Sequence, residues 1–250
     1  MQDYGPETYG DRIAAVYDSL YVREGSLDTA GAVDALARLA GPGPVLELAI
    51  GTGRLAIPLA QRGIDIRGID ASEEMVARLR AKPGGEDIPV TMGDFADVGV
   101  EGSFSLVFVV FNTLFALLTQ EDQLRCFRNV AAHLADGGRF VVEAFVPDLA
   151  RFERGQRVGV SAVSIDRVDL EVSRHDAVNQ RVDSQHVFVS GEGTRLSPVS
   201  LRYAFPSELD LMAQLAGLEL QERCGGWSGE PFTNASRDHV SIYGSDRTRP

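Results

Sequence analysis

Between residues 44 and 145 the chain alternates short apolar runs with longer segments whose apolar positions recur every three or four residues. The first kind of run is typical of a strand buried on both faces, and the second is typical of an amphipathic helix. Because the two alternate, the pattern predicts a parallel sheet covered by helices on both faces. The predicted strands are residues 44–49, 65–70, 89–93, 104–110 and 139–145.

Capping and turn residues mark the helices between these strands. One helix is predicted to begin near Gly53, and the next has Ser72 as its N-cap. Thr119 precedes a longer amphipathic helix, which we expect to stop at the glycine pair 137–138.

The connection between the third and fourth strands is short, since only residues 94–103 lie between them. A parallel crossover usually needs a dozen or more residues. Ten extended residues still reach about 33 Å. We therefore expect the third strand at one edge of the sheet, joined to the fourth by a loop that passes two neighbouring strands.

The pattern changes after residue 150. Residues 161–190 alternate apolar and polar positions on either side of the turn-like segment 176–180, and residues 194–205 add a third strand. This predicts an antiparallel β flap, after which a helix from Pro206 and strands at 218–224 and 239–244 return to the main sheet.

Composition limits the classes of partner. The 250 residues carry a formal net charge of −12, which disfavours nucleic acid, because such binding depends on Lys and Arg neutralising phosphates. We therefore expect a small substrate. No apolar run reaches the roughly 20 residues of a membrane span and the N-terminus has no secretion-signal pattern, so we expect a cytoplasmic protein with no membrane partner. Cys126 and Cys224 have no metal-ligand spacing, and no metal is predicted.

Residues 45–56, VLELAIGTGRLA, carry the most informative motif. The Gly-x-Gly-x-x-Ala at Gly51, Gly53 and Ala56 follows an apolar run, as where a strand turns into a helix that holds a nucleotide. Asp70 lies 17 residues after Gly53, where an acid can bind ribose hydroxyls. Taken alone, the motif also fits a nicotinamide-dependent oxidoreductase.

Two further acids favour a different cofactor. Glu47, Asp70 and Asp94 each end or follow one of the first three strands, and the carboxyl ends of parallel strands meet at one crevice. Asp70 can accept both ribose hydroxyls, Asp94 can accept from an adenine amine, and Glu47 can meet an ammonium group. A ligand with ribose, adenine and an amino-acid cation describes S-adenosylmethionine, whose sulfonium also favours an acidic site.

These motifs resemble those of the class I S-adenosylmethionine-dependent methyltransferases, over roughly residues 9–243. The matching stretches are VLELAIGTG, GIDASEEM, GDF and residues 111–145. The resemblance implies a Rossmann-like, doubly wound, mostly parallel seven-stranded sheet with an antiparallel last strand and the inserted flap. It divides the chain into a cofactor-binding domain with an N-terminal helical lid, residues 1–150 and 204–245, and the flap, residues 151–203, on the substrate side or at a dimer contact.

The resemblance also implies which residues contact the cofactor or its product S-adenosylhomocysteine. Ala49 replaces the first glycine of the family's loop, and we expect its extra methyl to be tolerated. The N-terminal segment and flap are similar to those of amino-sugar N-methyltransferases of antibiotic pathways. The implied cofactor contacts are Glu47, Ala49, Gly51, Gly53, Arg54, Asp70, Ala71, Met75, Asp94, Phe95, Phe111, Tyr9 and Tyr17.

Several of these residues also allow a purely structural interpretation. Asp94 could form only a turn, and Glu47 could bond only the amides of the glycine loop. Met75 and Phe95 could pack in the core instead of contacting adenine. Aromatic residues at helical spacing, such as Tyr9 and Tyr17, could pack without lining the site.

The methyl acceptor leaves a weaker trace in the sequence. In this family the last two strands are antiparallel, so the loop between them opens beside the cofactor; Trp227 and Phe232 lie in that loop and His239 directly follows it. We hypothesise that the loop walls the acceptor pocket. The tentative catalytic candidates are His239, Asn112 and Glu143, and the tentative substrate contacts are Trp227, Phe232 and His186.

The sequence thus predicts a methyltransferase that uses S-adenosylmethionine to methylate nitrogen or oxygen of a small metabolite, with a natural-product or amino-sugar intermediate as the first hypothesis. Two alternatives stay open at this point. One is the nicotinamide-dependent oxidoreductase, and the other is a protein of the same fold that binds S-adenosylmethionine without methylating. A monomer and a homodimer are both compatible with the sequence.

Overall fold

The computed structural model of the protein describes residue 1, residues 4–23 and residues 27–245. In these ranges the chain forms a sheet of seven strands and a separate sheet of four. Apolar clusters lie on both faces of the larger sheet, against helices, which confirms the predicted α/β architecture. The helices are α1 (Thr8–Tyr17), α2 (Thr29–Leu39), α3 (Ala56–Gln61), α4 (Glu73–Arg80), α5 (Gln120–His133) and α6 (Pro206–Leu215).

The larger sheet has the predicted mixture of strand directions. The strands of both sheets are β1 (Val45–Leu48), β2 (Ile66–Asp70), β3 (Val90–Met92), β4 (Phe104–Val109), β5 (Leu134–Phe145), β6 (Gln156–Val163), β7 (Arg167–Asp176), β8 (Arg181–Ser190), β9 (Gly193–Arg202), β10 (Leu218–Cys224) and β11 (Asp238–Ser245). In the larger sheet the order is β10-β11-β5-β4-β1-β2-β3. β11 is antiparallel to β5 and β10, and the other pairs are parallel.

The strand order explains the short third connection. β3 lies at the edge of the sheet and β4 lies beyond β2 and β1, so residues 93–103 cross two strands without a helix. This confirms the edge position of β3, which was predicted from the shortness of this connection. It also places the carboxyl ends of β1, β2, β3 and β4 along one edge, where the polar residues of the site follow the strands.

Helix α5 begins as predicted but ends earlier. The Thr119 side chain caps it by accepting a hydrogen bond from the Asp122 amide at 3.0 Å. The predicted end at the glycine pair 137–138 is wrong, because α5 stops at His133 and the next residues join β5, where Leu134 pairs with Phe104. The sheet therefore takes over a segment that the capping pattern assigned to the helix.

The flap has four strands where the sequence predicted three. Residues 164–166 form a turn, so residues 161–163 end β6 and do not belong to the strand that follows. The predicted turn at 176–180 is confirmed, since the Asp176 carboxylate accepts from the amides of Val178 and Asn179. The sequence missed β6 because its alternation around Val158 and Val160 is short and is broken at the β-bulge between Val160 and Ala162.

One face of the flap is apolar and largely exposed. Cross-strand neighbours in an antiparallel sheet share a face. The register therefore places Val160, Leu170, Val187 and Leu196 in one row across all four strands. Val160 and Leu196, on the two edge strands β6 and β9, are 63% and 54% exposed, so the row leaves apolar side chains open to solvent at both ends.

The described residues hold neither a helix able to span a membrane nor a metal cluster. No helix of those ranges combines enough length and apolar character to cross a bilayer. No three His, Cys, Asp or Glu side chains among them are arranged around a common metal position. Cys126 is a buried free thiol, and Cys224 is a partly exposed one.

Candidate active site

The loop after β1 turns sharply through left-handed backbone conformations. Ala49, Gly51 and Gly53 have φ angles of 57°, 58° and 78°. At Gly53 a β-carbon would lie 3.1 Å from the side chain of Leu79, so glycine is favoured there by both backbone and space. Ala49 adopts the same region with a β-carbon, at a cost of roughly 1 kcal/mol. The loop delivers the chain to α3, which begins at Ala56, three residues after the predicted Gly53.

Asp70 at the end of β2 ties this loop to the next helix. Its carboxylate accepts from the Gly51 amide at 2.7 Å and from the Ser72 amide at 2.9 Å. Ser72 in turn caps α4, as predicted, by accepting from the Met75 amide. Each carboxylate oxygen keeps a lone pair for a further donor. Burial raises the pKa of Asp70 in spite of these hydrogen bonds.

Asp94 follows β3 and forms a turn. Its Oδ1 atom accepts from the Ala96 amide at 2.9 Å, which is the local role that the sequence left open. Phe95 beside it is 9% exposed and packs in the main apolar cluster. Met75 is 4% exposed and packs against Ile13 of α1. Both apolar side chains thus serve mainly as core.

Glu47 is a buried carboxyl group within β1. It is 4% exposed, and its Oε2 atom has no hydrogen-bond partner among the described residues. Burial raises the pKa of Glu47 to about 8, although the Arg54 guanidinium opposes the shift. A buried acid with an open acceptor atom is stabilised by a cationic hydrogen-bond donor.

Arg54 lies on the same wall as Glu47. Its guanidinium donates to Thr29 Oγ1 at 3.2 Å and lies 5.8 Å from the centre of the Phe111 ring. Its positive charge also acts on Tyr17 and Glu47, where it opposes the rise in pKa that burial causes. An acid and an arginine side by side suit a ligand that carries both an ammonium and a carboxylate.

The N-terminal segment closes over this wall with aromatic rings. After α1 the chain forms a π-helix, Asp18–Arg23, a conformation often found at functional sites. The ring centres of Tyr21 and Phe111 are 5.0 Å apart, and those of Tyr17 and Phe111 are 6.5 Å apart. Tyr9 reaches Tyr21 with 3.5 Å between the hydroxyl oxygens. Burial raises the pKa of Tyr17 to about 12 and also that of Tyr9, so both phenols are neutral.

Three polar contacts, two at Asp18 and one at Asp11, hold this segment, residues 4–23, which we call the lid. The Asp18 carboxylate accepts from Thr52 Oγ1 and from Lys82 Nζ, each at 2.7 Å, and Lys82 also donates to the Thr52 carbonyl at 2.7 Å. Ser72 donates to Asp11 of α1 at 2.6 Å. Sequence reasoning missed Asp18, Lys82 and Asp11, because only the π-helix and the packing of α1 bring them to the loop.

Glu143 and Asn112 lie at the tips of β5 and β4, where their polar atoms bind backbone. The Glu143 carboxylate accepts from the Phe111 amide and from Trp227 Nε1, both at 2.9 Å. The Asn112 Oδ1 atom accepts from the Phe145 amide at 2.6 Å. The structure therefore brings Glu143, Asn112, Phe111 and Trp227 together as one hydrogen-bonded group.

His239 and Phe232 form a second group at the start of β11. His239 is fully buried, and its Nδ1 atom lies 2.9 Å from Ser241 Oγ, which also accepts from Arg223. The Nε2 atom has no partner among the residues that the structure describes. Burial, together with the nearby Arg223 guanidinium, lowers the pKa of His239 to about 4, so the ring is neutral near pH 7 and a weak base.

His186 stands apart from both groups. It lies in the middle of β8, between Glu171 and Ser197 on the neighbouring strands. Five residues of strand, roughly 17 Å, separate it from Arg181 at the base of the flap. It is half-buried, and burial lowers its pKa against the opposing charge of Glu171.

This architecture defines the general class of protein. An open, mostly parallel sheet whose strand order reverses beside a glycine loop binds a nucleotide-like ligand at its carboxyl edge. Here that edge carries two buried carboxyl groups, Asp70 and Glu47, and the guanidinium of Arg54, which acts electrostatically on Glu47. The arrangement is typical of a Rossmann-like enzyme that binds a nucleotide-like cofactor.

Comparison with known proteins narrows the class to a family. Residues 45–138 match the model of a methyltransferase domain. The cypemycin N-terminal methyltransferase of a Streptomyces species is 32% identical over 206 residues, which cover 79% of this chain and 81% of the relative. The dTDP-3-amino-3,4,6-trideoxy-alpha-D-glucopyranose N,N-dimethyltransferase of Streptomyces venezuelae is 29% identical over 230 residues, or 86% of this chain and 94% of the relative.

A solved structure agrees with these relatives. The CcbJ methyltransferase from Streptomyces caelestis superimposes with a TM-score of 0.91 and 41% identity, over 97% of this chain and 99% of that one. The chain belongs to the S-adenosylmethionine-dependent methyltransferases. The sequence-based prediction of family, cofactor and enzyme class is confirmed, and the nicotinamide-dependent alternative receives no support.

We predict that the Lys82 contact holds the lid closed. Lys82→Met removes the Asp18 ion pair, so residues 8–23 should exchange amide hydrogen roughly 2–5-fold faster, as expected for a partly exposed pair. Hydrogen exchange followed by mass spectrometry measures this. Arg62→Met breaks a similar pair with Asp34 away from the lid and serves as the matched control. Equal lid exchange in the two variants would contradict the prediction.

Proposed function

We propose that the enzyme holds S-adenosylmethionine between the glycine loop and the lid. Asp70 accepts the ribose hydroxyls, Glu47 accepts the methionine ammonium and Arg54 binds the carboxylate. The observation that carries this assignment is the buried Oε2 atom of Glu47, which no described residue hydrogen-bonds and on which the Arg54 guanidinium acts. The adenine lies near Asp94, whose Oδ2 atom accepts its amine, and near Ala71.

The remaining predicted contacts complete this pocket. Gly51 and Gly53 let the backbone approach the ligand, and Ala49 shapes the start of the loop. Tyr9, Tyr17 and Phe111 close the pocket from above, while Phe95 and Met75 offer adenine only the parts of their side chains that are not buried in the core. Neutral phenols suit this position. An ionised phenol would stabilise the positively charged sulfonium before methyl transfer more than the transition state, in which that charge is being lost.

We further propose that the acceptor atom is an amine nitrogen of a small natural-product intermediate. Two relatives point this way by name, an N-terminal methyltransferase and an amino-sugar N,N-dimethyltransferase. The candidate bases support it as well. Both oxygens of Glu143 are occupied and His239 is weakly basic, which suits a neutral amine that attacks without base assistance.

S-adenosylmethionine supplies an electrophilic methyl group on a sulfonium. The protein's own part is then to align the nucleophile and exclude water. The aromatic lid excludes water, and Trp227 and Phe232 of the terminal loop wall the acceptor side. His239 is fully buried and supports this wall from behind through its ring contact with Phe232. Asn112 and Glu143 act by holding backbone amides, and Glu143 also holds the Trp227 indole. His186 contacts only those acceptors large enough to reach the flap.

We propose that the flap, residues 151–203, joins two copies of the chain into a homodimer. One strand of eight residues and three of ten present a face of roughly 19 Å by 34 Å, which approaches the 800 Å² per partner of a standard interface. The apolar row of Val160, Leu170, Val187 and Leu196 is neutral and can face its own copy about a two-fold axis.

The acidic net charge supports a small acceptor over nucleic acid. A cytoplasmic location is supported by the cofactor, because the cell supplies S-adenosylmethionine there.

The acceptor proposal predicts methyl transfer to amines. Labelled S-adenosylmethionine should methylate one or more of a panel of amino sugars, their nucleotide-linked forms and short peptides with free N-termini. The N-acetylated form of each positive acceptor should be inert. Transfer to matched alcohols instead would overturn the choice of nitrogen. Tight binding of S-adenosylhomocysteine with no transfer to any panel member would favour a non-methylating role.

The Glu47 assignment predicts a pH-dependent affinity. With its pKa near 8, Glu47 is mostly protonated at neutral pH, and an ammonium ligand must displace that proton. Affinity for S-adenosylhomocysteine should therefore rise with pH by up to about tenfold per unit below pH 8. Calorimetry in buffers of different ionisation enthalpy should show proton release on binding. Glu47→Gln should bind more weakly, with neither effect; an unchanged pH dependence in that variant would disprove the assignment.

The dimer proposal predicts that one charge on the apolar face separates the copies. Val160→Asp should give the mass of a monomer in analytical ultracentrifugation, where the unchanged protein gives a dimer. Ile165→Asp is the matched control, because Ile165 is fully exposed but lies in the turn beside the face. A monomeric unchanged protein, or dissociation by both variants alike, would contradict the proposal.

A further inference from the structure

The tip of β4 has an unusual backbone. Phe111 and Asn112 are consecutive non-glycine residues in the left-handed region, with φ of 56° and 62°. Such a conformation is strained for a residue with a β-carbon and persists only where surrounding contacts enforce it. Such strain at the carboxyl edge of the sheet, beside the cofactor loop, indicates that the direction of these side chains matters.

Three hydrogen bonds from β5 enforce this turn. The Phe111 amide donates to Glu143 Oε2 at 2.9 Å, and the Asn112 amide donates to the Glu143 carbonyl at 3.3 Å. The Phe145 amide donates to Asn112 Oδ1 at 2.6 Å. The tips of β4 and β5 are thereby fixed to each other by side chains in addition to the sheet.

The turn aims the Phe111 ring at the lid. The ring packs edge-on against Tyr21 at 5.0 Å and Tyr17 at 6.5 Å between centres, and Arg54 lies over it at 5.8 Å. Phe111 is thus the point where the sheet meets the lid. Moving its ring changes the surface on which both tyrosines rest.

The terminal loop holds the other oxygen of Glu143. Trp227 donates its indole N–H to Glu143 Oε1 at 2.9 Å and is only 9% exposed, packed in the cluster that contains Val240 and Ile242. Trp227 is also the single tryptophan of the chain. The carboxylate therefore links a side chain of the proposed acceptor wall to the backbone beneath the lid.

We infer that Glu143 and Trp227 are positioning residues for methyl transfer, which act through Phe111 by fixing the aromatic surface against which the lid closes. The inference rests on the proposed place of the cofactor between the glycine loop and the lid. It gives Glu143 a role distinct from that of a proton acceptor, and it gives the terminal loop an influence on lid closure.

The two hydrogen bonds of the Glu143 carboxylate suggest a substitution that breaks one of them and leaves the packing unchanged. Glu143 faces two N–H donors, and only a carboxylate can accept from both with its two oxygens. Glu143→Gln has nearly the same shape but turns an N–H₂ group toward one of the donors. One of the two bonds must break, whereas the volume of the buried side chain is kept. Trp227→Phe removes only the indole donor and should have a weaker effect.

The test uses the full chain with S-adenosylhomocysteine bound. In Glu143→Gln, residues 8–23 should exchange amide hydrogen several-fold faster than in the unchanged protein, while α5 exchanges at the same rate and reports an intact fold. The emission of the single tryptophan should shift as its N–H partner changes. Ser228→Ala, an exposed neighbour of Trp227, is the matched control and should leave lid exchange and emission unchanged.

Turnover gives the second readout. With the amine identified in the acceptor panel, kcat of Glu143→Gln should fall roughly 10–100-fold, as expected for a misplaced site surface, with a smaller change in KM for S-adenosylmethionine. Lid exchange and kcat both within twofold of the unchanged protein would overturn the inference. Failure of the proposed function looks different, because then the unchanged protein itself would not bind S-adenosylhomocysteine or methylate an amine.

Discussion

The carboxylate of Asp70 is the contact on which the cofactor side of the protein depends. By accepting from the amides of Gly51 and Ser72, it fixes the glycine loop relative to the start of α4. The lid is then anchored to the same two elements, through Thr52 of the loop and through Ser72. One buried acid at the end of β2 thus sets the positions of the glycine loop, α4 and the lid.

The sheet and the glycine loop could be predicted from sequence because their signals are local. Gly51 and Gly53 report a backbone conformation that few residues adopt, and Asp70 follows an apolar run of the right length. The alternation of short apolar runs with helical segments predicted the parallel sheet. The length of the loop between β3 and β4 predicted that β3 lies at the edge of that sheet. Each of these inferences needs only neighbours in the chain.

The rest depends on contacts between distant segments, which no local pattern reports. The π-helix that brings Asp18 to Lys82 has no sequence signature, and α5 lost its last predicted turn to the pairing of Leu134 with Phe104. Glu143 illustrates the limit for the site. Its type and its place at a strand end suggested a catalytic role, but Trp227, 84 residues away in the chain, occupies one of its oxygens and the Phe111 amide the other.

The flap can change in sequence during evolution independently of the main sheet. Its four strands form a separate hydrogen-bonded sheet and are inserted in the sequence between β5 and α6. Insertions, deletions and substitutions in those hairpins can therefore accumulate without disturbing the register of the seven strands. The glycine loop and the seven-stranded sheet can then be inherited unchanged by chains whose flaps differ in length and sequence.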